Sequence, residues 1–310
     1  MEKILKAIPI PLAGVALALA ALGNLVQSYG QGFRNVLGLI AAVIIVLLYL
    51  KIITNFSGFM EEMNNPITAS VFATFPMANM LLATYLKPYA AGFAKGLWFF
   101  AIAMHVVLIL YFVSKFVLKF DINKVFPSWF IVFVGIVVAS VTSPAFEMTG
   151  LGRNIFWFGL IANAILLAIV IYRTVVVKGI PEPAFPLLAI YSAPVALNLA
   201  GYMSAFEAKS NTLVYILLIL SQVFYFYALT VLGRSLSKGK FVPAYAGFTF
   251  PLVISAISLK LTNGYFGKAG ISIPGLGILV KIEEAIAVII VLYVLFKFIM
   301  SISAAMNAES

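Results

Sequence analysis

FTFPLVISA, residues 248–256, and FATFPMANM, residues 72–80, repeat the tripeptide Thr-Phe-Pro inside two long apolar stretches. Proline lacks the amide hydrogen that a helix needs and crowds the carbonyl four residues before it, so it bends or breaks the helix that contains it. The surrounding stretches decide the class of the chain. Of the 310 residues, 64% are hydrophobic and only 10% charged, against about 25% charged in an ordinary soluble domain. The mean hydropathy is +1.12. A crossing of the bilayer takes about 20 apolar residues. Ten stretches approach that length: Ala7–Leu25, Val36–Ile53, Ile67–Leu86, Leu97–Val113, Trp129–Val141, Ile155–Val177, Phe185–Met203, Leu213–Leu232, Tyr245–Leu261 and Ile278–Ile299. The expectation is an all-α integral membrane protein, a single transmembrane domain over residues 1–310 with short loops and no soluble domain.

The prolines are not spread evenly over these crossings. The odd-numbered ones contain or begin with Pro9 and Pro11, Pro66 and Pro76, Pro127 and Pro144, Pro183, Pro186 and Pro194, and Pro243 and Pro251; the even-numbered ones contain none. The simplest description is five helical hairpins, each a broken helix followed by a smooth one, an internal repeat written in proline. A backbone carbonyl freed by proline is costly against lipid and tolerated where water or a neighbouring helix satisfies it. Broken helices therefore belong at a lining and smooth ones at the lipid wall. Small and weakly polar residues near the breaks agree: Gly14; Thr74 and Asn79; Gly135 and Ser140; Ser192 and Asn198; Thr249 and Ser255. Together with Pro11, Pro76, Pro194 and Pro251 they are the expected lining of a narrow central path. The competing explanation is packing, since proline is commoner in membrane helices than in soluble ones.

Charge excludes several classes. With ten crossings both termini share a side, and twelve of the 20 Lys and Arg residues fall on it. By the positive-inside rule that side is cytoplasmic. The net charge of +10 is scattered among loops with no basic stripe, so anionic headgroups or an anionic solute are better partners than nucleic acid. Lysines precede the first apolar run, but its prolines and the lack of a small-residue cleavage site favour a retained helix over a signal peptide. There is no cysteine. The one histidine, His105, has no second ligand beside it, so no metal is expected, and a hydrogen-bonded structural place or one at the lipid interface suits it. Glu61–Glu62 and Glu283–Glu284 are expected to cap helix ends. No phosphate-binding glycine loop and no other catalytic signature occurs, so neither a cofactor nor an enzyme is expected.

No acidic residue lies in the middle of an odd crossing. Ion-coupled carriers need such a group to hold the coupling ion, so passive passage is favoured. Hydroxyls, amides and broken backbone, with lysines at the mouths, would handle anions weakly and let them leave fast. Phe250 precedes Pro251, and the bend would turn its ring to the axis, where a large apolar ring blocks ions. Phe75 before Pro76 is the corresponding residue, and Phe248 the neighbouring alternative.

IPIPLAGVALALAALGN, NPITASVFATFP, FPSWFIVFVGIVVAS and AYAGFTFPLVISA resemble, in order and spacing, the tellurite-resistance/dicarboxylate transporter family, which includes TehA and the slow-type (SLAC-type) anion channels of plant guard cells. The resemblance covers nearly the whole chain. It implies five hairpins in a quasi-fivefold ring, kinked odd helices around a central pore and even helices outside. It also implies a ninth-helix phenylalanine that closes the pore, matching Phe250, and homotrimers in which each protomer has its own pore. Such proteins sit in the cell membrane and pass chloride, nitrate, malate, sulfite or related anions. One departure stands in the fifth crossing, where a further proline is expected near WFI and Val132–Val134 precede Gly135 instead. The leading expectation is a gated passive channel for small monovalent anions. The alternative is a secondary exporter of a C4-dicarboxylate, sulfite or a tellurite-type oxyanion, and a packed membrane scaffold or sensor is the third class.

Overall fold

Each proline-bearing segment is helical in two or more pieces. The computed structural model describes residues 2–308, and among them every regular element is helical. In chain order the α-helices are α1 (Glu2–Ala7), α2 (Leu12–Val26), α3 (Gln31–Thr54), α4 (Phe56–Glu62), α5 (Pro66–Phe72), α6 (Thr74–Leu86), α7 (Ala91–Phe112), α8 (Trp129–Phe133), α9 (Val138–Thr142), α10 (Thr149–Ile171), α11 (Ser192–Ala205), α12 (Asn211–Ser237), α13 (Thr249–Lys268) and α14 (Leu276–Ala308). Pro9 and Pro11 separate α1 from α2, and α5 gives way to α6 at Ala73. Tighter 3₁₀ stretches, Glu182–Tyr191 and Pro243–Phe248, run straight into α11 and α13. Local sequence explains the clean starts: Asn65 Oδ1 accepts from the amides of Ile67 and Thr68, at 2.9 and 3.3 Å, ahead of Pro66 at the first helical position.

Nine helical stretches among the described residues are long and apolar enough to cross a membrane, so the chain is a multi-pass membrane protein. The expected fifth crossing, Trp129–Val141, is not one of them. It divides into α8, a 3₁₀ turn at Gly135–Val137, α9 and a second 3₁₀ turn at Ser143–Phe146. The chain breaks at Val134–Gly135 without any proline there, and Pro144 tightens its far end. Val137 seats the fragments, since a Cβ on either Gly159 of α10 or Gly201 of α11 would overlap it. Small residues admit this close approach, as they do generally where membrane helices meet.

The two kinds of helix differ sharply in burial. The crossings built on α2, α5–α6, α11 and α13 have 78–89% of their apolar core inside the protein, whereas α3, α7, α10, α12 and α14 have 22–39%. Leu39, Val107, Ile161, Val223 and Ile289 project from the smooth helices into the surroundings. In a soluble protein that much exposed apolar surface would aggregate; in a bilayer it faces lipid. Contacts follow the same division. Each broken segment packs on the smooth helix that follows it: α2 on α3, α6 on α7, α9 on α10, α11 on α12 and α13 on α14. The broken ones also touch one another, α2 with α6 and α13, α9 with α6 and α11, and α11 with α13.

Two acidic pairs sit where the capping expectation did not put them. α14 starts at Leu276, just after Gly275 with its positive φ of 81°, so Glu283 and Glu284 lie in its interior and not in the first turn. Glu284 is tied to Tyr29 (2.5 Å), Lys260 (2.6 Å) and Lys281 (3.2 Å). Glu61 and Glu62 are the last residues of α4, and Glu62 pairs with Lys51 at 3.0 Å.

Candidate functional site

All five breaks meet at one cavity. It encloses about 150 Å³ and takes wall residues from each broken segment: Pro11 and Gly14, Thr74 and Met77, Val134 and Gly135, Ala193 and Pro194, and Gly247, Phe250 and Pro251. The cavity lies on the side of the chain termini. Its wall is apolar apart from Thr74, whose Oγ1 donates to the Val71 carbonyl at 2.7 Å.

A second cavity of about 350 Å³ opens toward the opposite side, between Asn24, Leu81, Val138, Val141, Ser204, Ile254, Ile257 and Lys260. Lys260 Nζ is held by the Leu25 carbonyl (2.8 Å), Ser28 Oγ (2.9 Å) and Glu284 (2.6 Å). No carboxylate lines either cavity. Only Phe250 and Leu197 border both. Phe250 is 6% exposed and stacks on no other ring among the described residues. It is the partition between the two spaces, with Leu197 of α11 beside it.

The other phenylalanines are placed differently. Phe75 is buried between Tyr49 of α3, at 4.6 Å between ring centres, and Phe72 of α5, at 5.1 Å. Phe248 is buried against Tyr245 at 5.4 Å. Neither borders a cavity. Pro11, Gly14, Thr74, Gly135, Pro194 and Pro251 line the first cavity; Pro76, Asn79, Ser192, Asn198, Thr249 and Ser255 are buried behind it.

The polar residues of the breaks do not face the path as a polar lining would. Two positions before each proline, a hydroxyl returns to the carbonyl three residues back: Thr74 to Val71, Ser192 to Ala189 (3.0 Å) and Thr249 to Ala246 (2.7 Å). Beyond the proline, Asn79 donates to the Phe75 carbonyl, Asn198 to that of Pro194 and Ser255 to that of Pro251, at 2.8–2.9 Å. Of the hydroxyls and amides expected along the path, Thr74 borders the first cavity, and the side chains of Asn79, Ser192, Asn198, Thr249 and Ser255 border neither cavity. These side chains are turned back onto their own helices, in the i−3 and i−4 bonds that Ser, Thr and Asn commonly make to the backbone. What faces the cavity is hydrocarbon.

His105 does the equivalent work in the fifth segment. It is fully buried on α7, and its Nε2 lies 2.9 Å from the Val132 carbonyl, donating in the tautomer that carries the proton there. A Cβ on Gly135 would approach Met77 Sδ to 2.6 Å and His105 Cε1 to 3.2 Å. The missing proline is thus matched by a donor from the neighbouring helix and a glycine with no room for a side chain.

Sequence reasoning overlooked Leu197 and Lys260. Leu197 follows Pro194 by three residues, which puts both on one helix face. Lys260 is the one charge at the end of an otherwise apolar run, Tyr245–Leu261.

A family profile described as voltage-dependent anion channel matches residues 7–299. No curated protein matches the chain.

Proposed function

The chain belongs to the voltage-dependent anion channel family, whose members are channels or transporters, and from that premise we propose that it is a gated passive channel for small monovalent anions such as chloride and nitrate. The pore runs along the axis of the broken helices, and Phe250 closes it. In this proposal the fragmented stretch Trp129–Phe146 serves as a tenth crossing, and the chain forms one domain of five hairpins. Contacts of α2, α6, α9, α11 and α13 in cyclic order support a ring with the smooth helices outside. The termini are cytoplasmic by the distribution of Lys and Arg, in the cell membrane, and the protein assembles as a homotrimer with one pore per protomer, as the family resemblance implies.

The observation that carries the proposal is that Phe250 borders both cavities while no other aromatic ring stacks on it among the described residues. A ring in that position excludes water from a dry constriction, and an anion without its hydration shell does not cross it. Rotation of the ring about its side-chain bonds joins the two spaces. Selection against cations follows from the absence of carboxylates along the wall, and weak binding from a wall whose donors are already used.

Phe250→Ala is the test. Reconstituted in planar bilayers, the variant is expected to carry at least tenfold more chloride current than the parent. Unchanged current in a normally folded variant would remove Phe250 from this role. The alternative, a secondary exporter of C4-dicarboxylate, sulfite or a tellurite-type oxyanion, needs a coupling group on the path. The buried Glu283 borders neither cavity. Flux that follows an imposed proton gradient, with no single-channel current, would establish the exporter instead.

A further inference from the structure

A crevice on the side of the termini, apart from the path, has the parts of an anion site. It encloses about 200 Å³ between the start of the 3₁₀ stretch Glu182–Tyr191, the end of α12 and the strand of chain entering Pro243–Phe248. Glu182, Phe185, Ser235, Lys238, Lys240 and Tyr245 form its polar and aromatic wall.

Ser235 is the informative residue. It is 3% exposed, and its Oγ has no hydrogen-bond partner. The other serines of α12 and Thr230 return to their own helix, Ser221 to Leu218, Thr230 to Tyr227 and Ser237 to Arg234. Ser235 does not, although a buried hydroxyl left unmade costs more than an average bond gains. The carbonyls at this end of α12 are already engaged. That of Ser235 accepts from Tyr245 Oη (2.7 Å) and the Lys238 amide (3.3 Å), and that of Leu236 from the Gly239 amide (3.1 Å). The negative end of the helix is thereby blunted, and one donor is left unpartnered at the wall of the crevice.

Two ammonium groups share that space. Lys238 Nζ pairs with Glu182 at 2.9 Å and lies 5.3 Å from the centre of the Phe185 ring. Lys240 has no ion-pair partner among the described residues. Glu182 is 75% exposed at its side chain, so it can leave Lys238 for solvent at little cost. Two lysines and one donor hydroxyl around a small crevice suit an oxyanion with several acceptor oxygens and more than one negative charge. A lone halide would leave the hydroxyl or one ammonium idle.

We propose that this crevice binds a phosphate group, held by Ser235 Oγ and the ammonium groups of Lys238 and Lys240. The group comes either from solution or from an anionic lipid headgroup, since the crevice lies where α12 reaches its end. Its wall includes Tyr245, in the 3₁₀ stretch that leads into Phe250. The site stands whether the chain proves a channel or an exporter.

The test uses the full chain in nanodiscs of phosphatidylcholine, titrated with inorganic phosphate and followed by calorimetry. Saturable binding is expected, weakened tenfold or more in Ser235→Ala and in Lys240→Gln, since a hydrogen bond to a charged group is worth at least that factor. Lys240 is exposed, so its variant folds as the parent does. In discs that contain phosphatidylglycerol, native mass spectrometry separates the sources. Retained phosphatidylglycerol that is lost in Lys240→Gln and displaces phosphate identifies the headgroup; phosphate binding that persists unaltered identifies the free ion. Absence of both, or binding equal in parent and variants, overturns the site.

Discussion

Thr74-Phe75-Pro76 and Thr249-Phe250-Pro251 are the same three residues in the same kind of helix break, and their phenylalanines meet opposite ends. In both, the threonine hydroxyl closes onto the carbonyl three residues back, at 2.7 Å. The local backbone chemistry is shared. Phe75, however, finds Tyr49 from the following smooth helix and Phe72 from its own segment. Phe250 finds no ring and stands between two cavities. A tripeptide sets the bend, and the neighbours set the use of the bend. Phe75 is a packing residue by its aromatic company; Phe250 lacks that company and has open space on two sides.

The sharpest way to break this comparison is to truncate both rings. Phe250→Ala is expected to raise chloride conductance at least tenfold in planar bilayers, with a smaller loss of stability than Phe75→Ala, because its ring has no aromatic partner to lose. Phe75→Ala is expected to leave conductance at the parental level and cost about 3–5 kcal/mol of stability, as large-to-small core changes do. Thermal unfolding in detergent reads the second effect. If the two phenotypes came out exchanged, Phe75 would hold the gate and the contrast in packing would be irrelevant to function.

Leu197 sharpens the same contrast at smaller amplitude. It is the other residue that borders both cavities, from the neighbouring broken helix α11. Leu197→Ala widens the partition without removing the ring. We expect a rise in conductance of a few fold, and a greater than additive rise when it is combined with Phe250→Ala, since residues that share one cavity couple. Strict additivity in single-channel recordings would mean that the two do not form one barrier.

How far the sequence carried this picture depends on what kind of signal each part needed. The alternation of broken and smooth crossings was legible because proline acts on its own helix, without reference to partners. The separation in burial between α2, α6, α11 and α13 on one hand and α3, α7, α10, α12 and α14 on the other follows that alternation. Phe250, Phe75 and Phe248 could not be ranked from their own neighbours in sequence, because the difference lies in Tyr49, Phe72 and Tyr245. The polar residues were legible as belonging to the breaks but not in their direction. Thr74, Asn79, Asn198 and Ser255 bond to carbonyls of their own helices, and periodicity does not distinguish a hydroxyl facing a cavity from one turned back on its helix. Glu283 and Glu284 misled because the start of α14 depends on Gly275, eight residues before Glu283.

The fifth segment carries the next prediction. Its break has no proline, and the Val132 carbonyl relies on His105 Nε2 across a helix interface. His105→Leu keeps the bulk and deletes the donor, leaving a buried carbonyl unsatisfied. The expected loss is about 1–3 kcal/mol, and His105→Gln, which can still donate an amide hydrogen, is expected to recover part of it. Equal stability of the leucine and parent proteins would show that the break needs no outside donor.

Asn79 and Asn198 test the smallest difference between the repeats. Both donate to a carbonyl four residues back, at 2.9 and 2.8 Å. Asn79 Oδ1 also accepts from Tyr49 Oη at 3.2 Å, the same tyrosine whose ring covers Phe75. Asn198 Oδ1 has no partner. Replacing Asn79 by Ala therefore removes one bond outright and releases the hydroxyl that positions the ring over Phe75, whereas Asn198→Ala removes one bond and one unsatisfied oxygen. The costs are expected to differ by about 1 kcal/mol, the net worth of one neutral hydrogen bond, with Asn79→Ala the less stable. Equal melting temperatures would mean that Tyr49 holds Phe75 through its ring alone, and that the company Phe75 keeps is aromatic and owes nothing to the amide behind it.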